Sequence, residues 1–226
     1  MNISESKVRK WRLRDVVYSY ILLYSLVFVA TMTIFFVFKK VDVQLNETQK
    51  NLLTKFAEHP IFLAAIWFII KRYPIIRMRD LIFFNRDYLT PFIIGIGSCG
   101  IISIICLLNA SGEVAPSLML IINSKGIYRI FFLINLLFFI PFIEELYFRG
   151  LVFTILKNRF DLFWGVAITT VFFSFMHPRS WFNAGILSII YTLVYEKTNC
   201  LLFAIVIHSI YNGMTVISAL ITFYYF

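Results

Sequence analysis

The chain has 226 residues, 60% of them hydrophobic and only 15% charged, with a mean hydropathy of +0.83. A soluble domain of this length needs far more polar surface, so the composition excludes one and predicts an all-α, polytopic membrane helix bundle. The formal charge of +9 is then first a matter of topology and lipid. Most Lys and Arg flank apolar runs, where they set orientation and meet anionic headgroups, and no nucleic-acid partner is expected.

In chain order, Lys7, Arg9, Lys10, Arg12 and Arg14 precede the apolar run Val16 to Phe38. That run is too long for a signal-peptide core and ends in Lys39-Lys40 without a small-residue cleavage pattern. It reads as a retained anchor with the N-terminus in the cytosol. Leu52 to Ile70 is weaker, because Lys55, Glu58, His59 and Pro60 fall in its first half. It either spans with a wet outer half or lies half-buried. Lys71, Arg72, Arg77, Arg79 and Arg86 then make a basic loop, which places residues 71–88 in the cytosol. Leu89 to Asn109 is the third span, with Pro91 in its first turn, where proline is tolerated.

A polar loop at 110–126 leads to the central segment, Arg129 to Lys157, about 40 Å long as a helix and enough to cross a bilayer obliquely. Two short apolar runs follow, Leu162–Met176 and Asn183–Tyr195, each about 20–22 Å as a helix and short for a full crossing. Pro178-Arg179 joins them, so a hairpin is expected, and Leu201 to Phe226 is the last span. The total is about six to seven transmembrane helices. Residues 1–126 form N-terminal spans and basic cytosolic loops, and 127–226 a C-terminal helical core. This topology puts thirteen Lys and Arg inside (five, five, two and one by segment) against seven outside. Cys99, Cys106 and Cys200 lie in apolar surroundings with no CxxC spacing, and they read as small apolar residues.

Glu144, Glu145 and Arg149 stand within six residues at the middle of the central segment. One ionisable group at mid-bilayer costs about 2.5–3.5 kcal/mol, so three of them need partners or a water-filled pocket. Counted from the cytosolic helix ends, Glu144 and His177 lie about 20 Å deep, His208 about 11 Å and Asn212 about 17 Å. Four polar groups from three helices are thereby brought towards one level. His208 and Asn212 are i and i+4 on one face. Glu145 and Arg149 are also i and i+4, a pairing that neutralises Glu145 and leaves Glu144 without an intrahelical partner, suited to take a proton from water. Each feature alone has a structural reading: an interfacial ion pair, a helix-ending histidine, a polar pair gluing helices together. Paired intramembrane aspartates and HExxH are absent from the sequence, while a zinc site on Glu144, His177 and His208 stays open.

The arrangement resembles the CPBP family, the CAAX-protease and bacteriocin-processing (Abi) membrane proteins. The resemblance rests on Glu144-Glu145-Leu146-Tyr147-Phe148-Arg149, Phe173-Ser174-Phe175-Met176-His177 and His208-Ser209-Ile210-Tyr211-Asn212, and it covers residues 127–215. It implies a glutamate-dependent intramembrane endopeptidase, often described as a metalloprotease. Carried over by motif, Glu144 is the general base and His177 helps to hold the water. His208 and Asn212 stabilise the oxyanion, while Glu145 and Arg149 hold the first motif in place. No cofactor is fixed by this, zinc being the one left open. The implied partners are the lipid bilayer and a peptide or membrane-protein substrate. Bacteriocin or pheromone processing, or self-immunity, is the expected setting. A composition rich in Ile, Phe, Lys and Asn with few Gly and Pro points to a bacterial plasma membrane. The alternative is a non-catalytic immunity or signalling partner that binds a bacteriocin or a sensor kinase.

Overall fold

The computed structural model of the chain describes residues 88–108 and 116–225, with scattered positions between 18 and 67. The expected anchor at 16–38, the weak span at 52–70 and the basic segments at 1–15 and 71–86 fall largely or wholly outside the described residues. Six helices are described from end to end: α1 Leu89–Leu108, α2 Pro116–Asn123, α3 Ile127–Arg159, α4 Leu162–Phe175, α5 Trp181–Thr198 and α6 Leu201–Tyr225. No strand occurs among the described residues, and the architecture is a helical membrane bundle. Among the described residues three helices, α1, α3 and α6, are long and apolar enough to cross a membrane.

The central helix α3 runs for 33 residues, as its unbroken apolar pattern predicts, but it is not regular. Asn135–Phe139 and Leu146–Phe153 are π-helical. The first lies just ahead of Pro141, which has no N–H to donate and whose ring would crowd the carbonyl four residues back. The wider π turn absorbs that conflict without ending the helix. Each π segment has a carbonyl bonded by a side chain. Asn212 Nδ2 of α6 donates to Leu136 O at 2.9 Å, and Thr154 Oγ1 donates to Arg149 O at 3.0 Å.

The helices after α3 are delimited by local chemistry. Asp161 caps α4, its carboxylate accepting from Trp164 N at 2.9 Å. Asn199 ends α5 in the left-handed conformation, φ 49°, a role that its short polar side chain tolerates. The α4–α5 hairpin turns through Met176–Ser180, with Ser180 N donating to His177 O at 3.0 Å. His177 therefore sits in the bend.

One core joins α3 to α4, α5 and α6 through Leu151, Ile155, Phe173, Ala184 and Leu201. A second joins α1 to α5 and α6 through Cys99, Tyr191, Val194, Ala204 and Ile207. Gly95 permits the α1 approach, since a Cβ there would stand 2.6 Å from Ile207 Cδ1. Isoleucines 93, 94, 101 and 104, with Phe163, Val171, Phe175 and Ile217, are exposed on the outside, as lipid-facing side chains are.

Candidate functional site

The site is built where α3 passes between α4, α5 and α6. Glu145 and Arg149 are fully buried and joined by Nη1 donating to Oε1 at 3.0 Å. An isolated guanidinium in such a place would be prohibitively costly, and the fold surrounds it. Nη2 donates to the Ser188 carbonyl at 3.2 Å and to Ser188 Oγ at 3.0 Å, and Nε donates to Thr192 Oγ1 at 3.4 Å. The guanidinium carbon also lies 4.6 Å from the centre of the Phe173 ring and 5.3 Å from that of Tyr191, within cation–π range.

His208 of α6 meets both carboxylates. Its Nδ1 donates to Glu145 Oε1 at 2.8 Å, while Nε2 stands 3.9 Å from Glu144 Oε2. Glu145 thus has one oxygen engaged by two donors. Glu144 is different in that its side chain is 26% exposed; the Oε2 of each has no hydrogen-bond partner among the described residues. Adjacent in sequence, the two carboxylates reach the same imidazole from opposite edges, one fully buried and one partly exposed.

His177 donates from Nδ1 to its own helix at Phe173 O, 2.8 Å away. A carbonyl can only accept, so in the neutral ring the lone pair is on Nε2. The His177 ring stacks on Phe173 at 4.5 Å, and Phe173 also meets the edge of His208 at 6.2 Å. The aromatic residue of the second motif is therefore a shared platform for both imidazoles and for Arg149. Asn212 lies one turn beyond His208. One of its two amide hydrogens is spent on Leu136 O, which leaves the other as a donor.

The structure thus brings Glu144, Glu145, Arg149 and His208 together directly, joins His177 to them through Phe173, and ties Asn212 to the π segment upstream of Glu144. Ser188, Tyr191 and Thr192 were not singled out from sequence. They share one face of α5 at i, i+3 and i+4, and that spacing within an apolar run was the available signal. Also unforeseen, His59 hydrogen-bonds the Asn135 side chain and stacks on Phe139 at 5.6 Å. Among the described residues no three His, Cys, Asp or Glu side chains are grouped so as to hold a metal.

Comparison with curated proteins and with solved structures found no match. Comparison with protein families found one: residues 126–214 match the type II CAAX prenyl endopeptidase Rce1-like family. That span contains the two carboxylates, both site histidines and Asn212. Over residues 126–214, somewhat under half of the chain, the protein is thus similar to a CPBP-type family of membrane endopeptidases.

Proposed function

We propose that this protein is a glutamate-dependent membrane endopeptidase that hydrolyses a peptide bond of a hydrophobic or membrane-delivered peptide, with Glu144 as general base. The observation that carries the proposal is the contrast between neighbouring carboxylates. Each has an Oε2 without a hydrogen-bond partner among the described residues, but Glu145 is fully buried with Oε1 held by Arg149 and His208, whereas the Glu144 side chain is partly exposed beside His208 Nε2. Two carboxylates in opposed environments divide into a fixed support and a working base.

The reaction follows from the donors and acceptors. Glu144 accepts one hydrogen of a water, and His177 Nε2 is suited to accept the other, so the oxygen lone pair is turned towards the scissile carbonyl. As the water oxygen bonds to that carbon, the carbonyl becomes an oxyanion. The remaining amide hydrogen of Asn212 is available to it. With Nδ1 committed to Glu145, His208 can donate from Nε2 only as the doubly protonated ring. In that form the two carboxylates, the guanidinium and the imidazolium sum to zero charge. Collapse of the intermediate breaks the C–N bond, and the proton on Glu144 passes to the leaving amine.

The setting we read is a multi-pass protein of a bacterial plasma membrane with its N-terminus in the cytosol. Its substrate is a peptide concerned in bacteriocin or pheromone maturation or in self-immunity. Mass spectrometry of membrane and secreted peptides from cells carrying the wild type or Glu144→Gln tests this. Peptides truncated only with the wild type support it. Identical peptide sets, with both proteins conferring the same phenotype, would favour the non-catalytic binding role. Elemental analysis of the purified protein tests zinc: a stoichiometric ion lost in His177→Ala would replace the water-only mechanism.

A further inference from the structure

We infer that Tyr191 is a positioning residue for His208, its ring acting as the wall that keeps Nε2 turned towards Glu144. This deepens the peptidase reading and rests on it for its kinetic consequence, though not for its geometry. The hydrogen bond from His208 Nδ1 to Glu145 Oε1 fixes one corner of the imidazole. Within the tolerance of that one bond the ring can still rock about its Cα–Cβ and Cβ–Cγ torsions, and such a motion would carry Nε2 away from Glu144. Tyr191 closes one side: the rings are stacked, with centroids 4.8 Å apart and planes 18° from parallel. On another side stands Phe173, edge to face at 71°.

Tyr191 is itself immobilised. It is fully buried among Cys99 of α1 and Leu187, Ala204 and Ile207, and the Arg149 guanidinium lies 5.3 Å from its ring centre. The hydroxyl lies against Cys99 and has no oxygen or nitrogen partner among the described residues. The ring rather than the hydroxyl therefore makes the contacts that matter. Through this residue the packing of α1 is transmitted to the catalytic imidazole.

The test uses the full-length protein in detergent micelles with isotope-labelled histidine, His208 being assigned through His208→Gln. In folded Tyr191→Leu the His208 ring nitrogen signals, which report tautomer and hydrogen bonding far more than ring current, should move while those of His59 and His177 stay. Its kcat should fall about tenfold or more with KM little changed, the expected effect of misplacing a catalytic group. Tyr191→Phe should recover both the signals and kcat. Three results would overturn the inference: unchanged His208 signals and kcat in folded Tyr191→Leu, as for a mere core-filling side chain; a Tyr191→Phe variant as impaired as Tyr191→Leu; or KM rising while kcat holds. If Tyr191→Leu does not fold, the comparison of Tyr191→Phe with wild type decides, displaced signals and a lowered kcat counting against the ring. Glu144→Gln is assayed alongside. If it cleaves normally, the peptidase reading fails, while the His208 signals still decide the role of Tyr191.

Discussion

At the scale of single residues, the strongest constraint is the burial of Arg149. Four bonds from its planar fork go to Glu145, Ser188 and Thr192, and the Phe173 and Tyr191 rings lie against it. Removing one partner of a buried pair leaves the other charge stranded, at a cost of about 3–5 kcal/mol. Arg149→Ala should lower unfolding stability in micelles by that amount. Arg149→Lys should rescue little of it, because an ammonium cannot reach Glu145, Ser188 and Thr192 together. By contrast, the Lys157–Glu196 pair, 2.6 Å apart but 37% and 19% exposed, is worth at most about 1 kcal/mol. Glu196→Gln should shift the same unfolding curve only slightly. Arg149→Lys matching the wild type would contradict the buried network.

At the scale of elements, α3 carries both carboxylates and Arg149, and its neighbours hold them in place. The α3–α4 corner depends on Gly165, where a Cβ would stand 3.1 Å from the Lys157 backbone. Backbone cannot give way as a side-chain tip can. Gly165→Ala gains about 1 kcal/mol of helix propensity but incurs an overpacking cost of about 1–3 kcal/mol. A net loss of stability is expected, measurable by denaturant titration, and a stabilised variant would show that the corner is looser than described. The π segments of α3 were not legible in the sequence. Apolar periodicity looks the same until the partner side chains are known, and the bond from Asn212 to Leu136 O crosses 76 residues. Pro141 was the one local hint. The α4–α5 hairpin was legible because Pro178 and short apolar runs leave few alternatives.

For the whole molecule, what could be read from sequence was what is energetically conspicuous. Glu144, Glu145, Arg149, His177 and His208 stand out because charged and imidazole groups in apolar helices demand compensation. Ser188 and Thr192 do not, since such hydroxyls can bond their own helix, as Thr192 Oγ1 does to Ser188 O at 2.7 Å. Tyr191 passes as an ordinary aromatic in a core. The partners of the visible charges were thus hidden among residues that cost nothing to bury, and only the packing of α5 against α3 reveals them. The same packing gives the neighbouring carboxylates opposite fates.

That division is tested most directly by measuring peptide cleavage and thermal unfolding together for purified Glu144→Gln and Glu145→Gln in proteoliposomes, with a pool of hydrophobic peptides read by mass spectrometry. Glu144→Gln should lose cleavage by about a hundredfold or more with an unchanged unfolding midpoint. Glu145→Gln should lose activity and also unfold markedly earlier, because Arg149 is left without its counter-charge. Full cleavage by a folded Glu144→Gln protein would contradict the account.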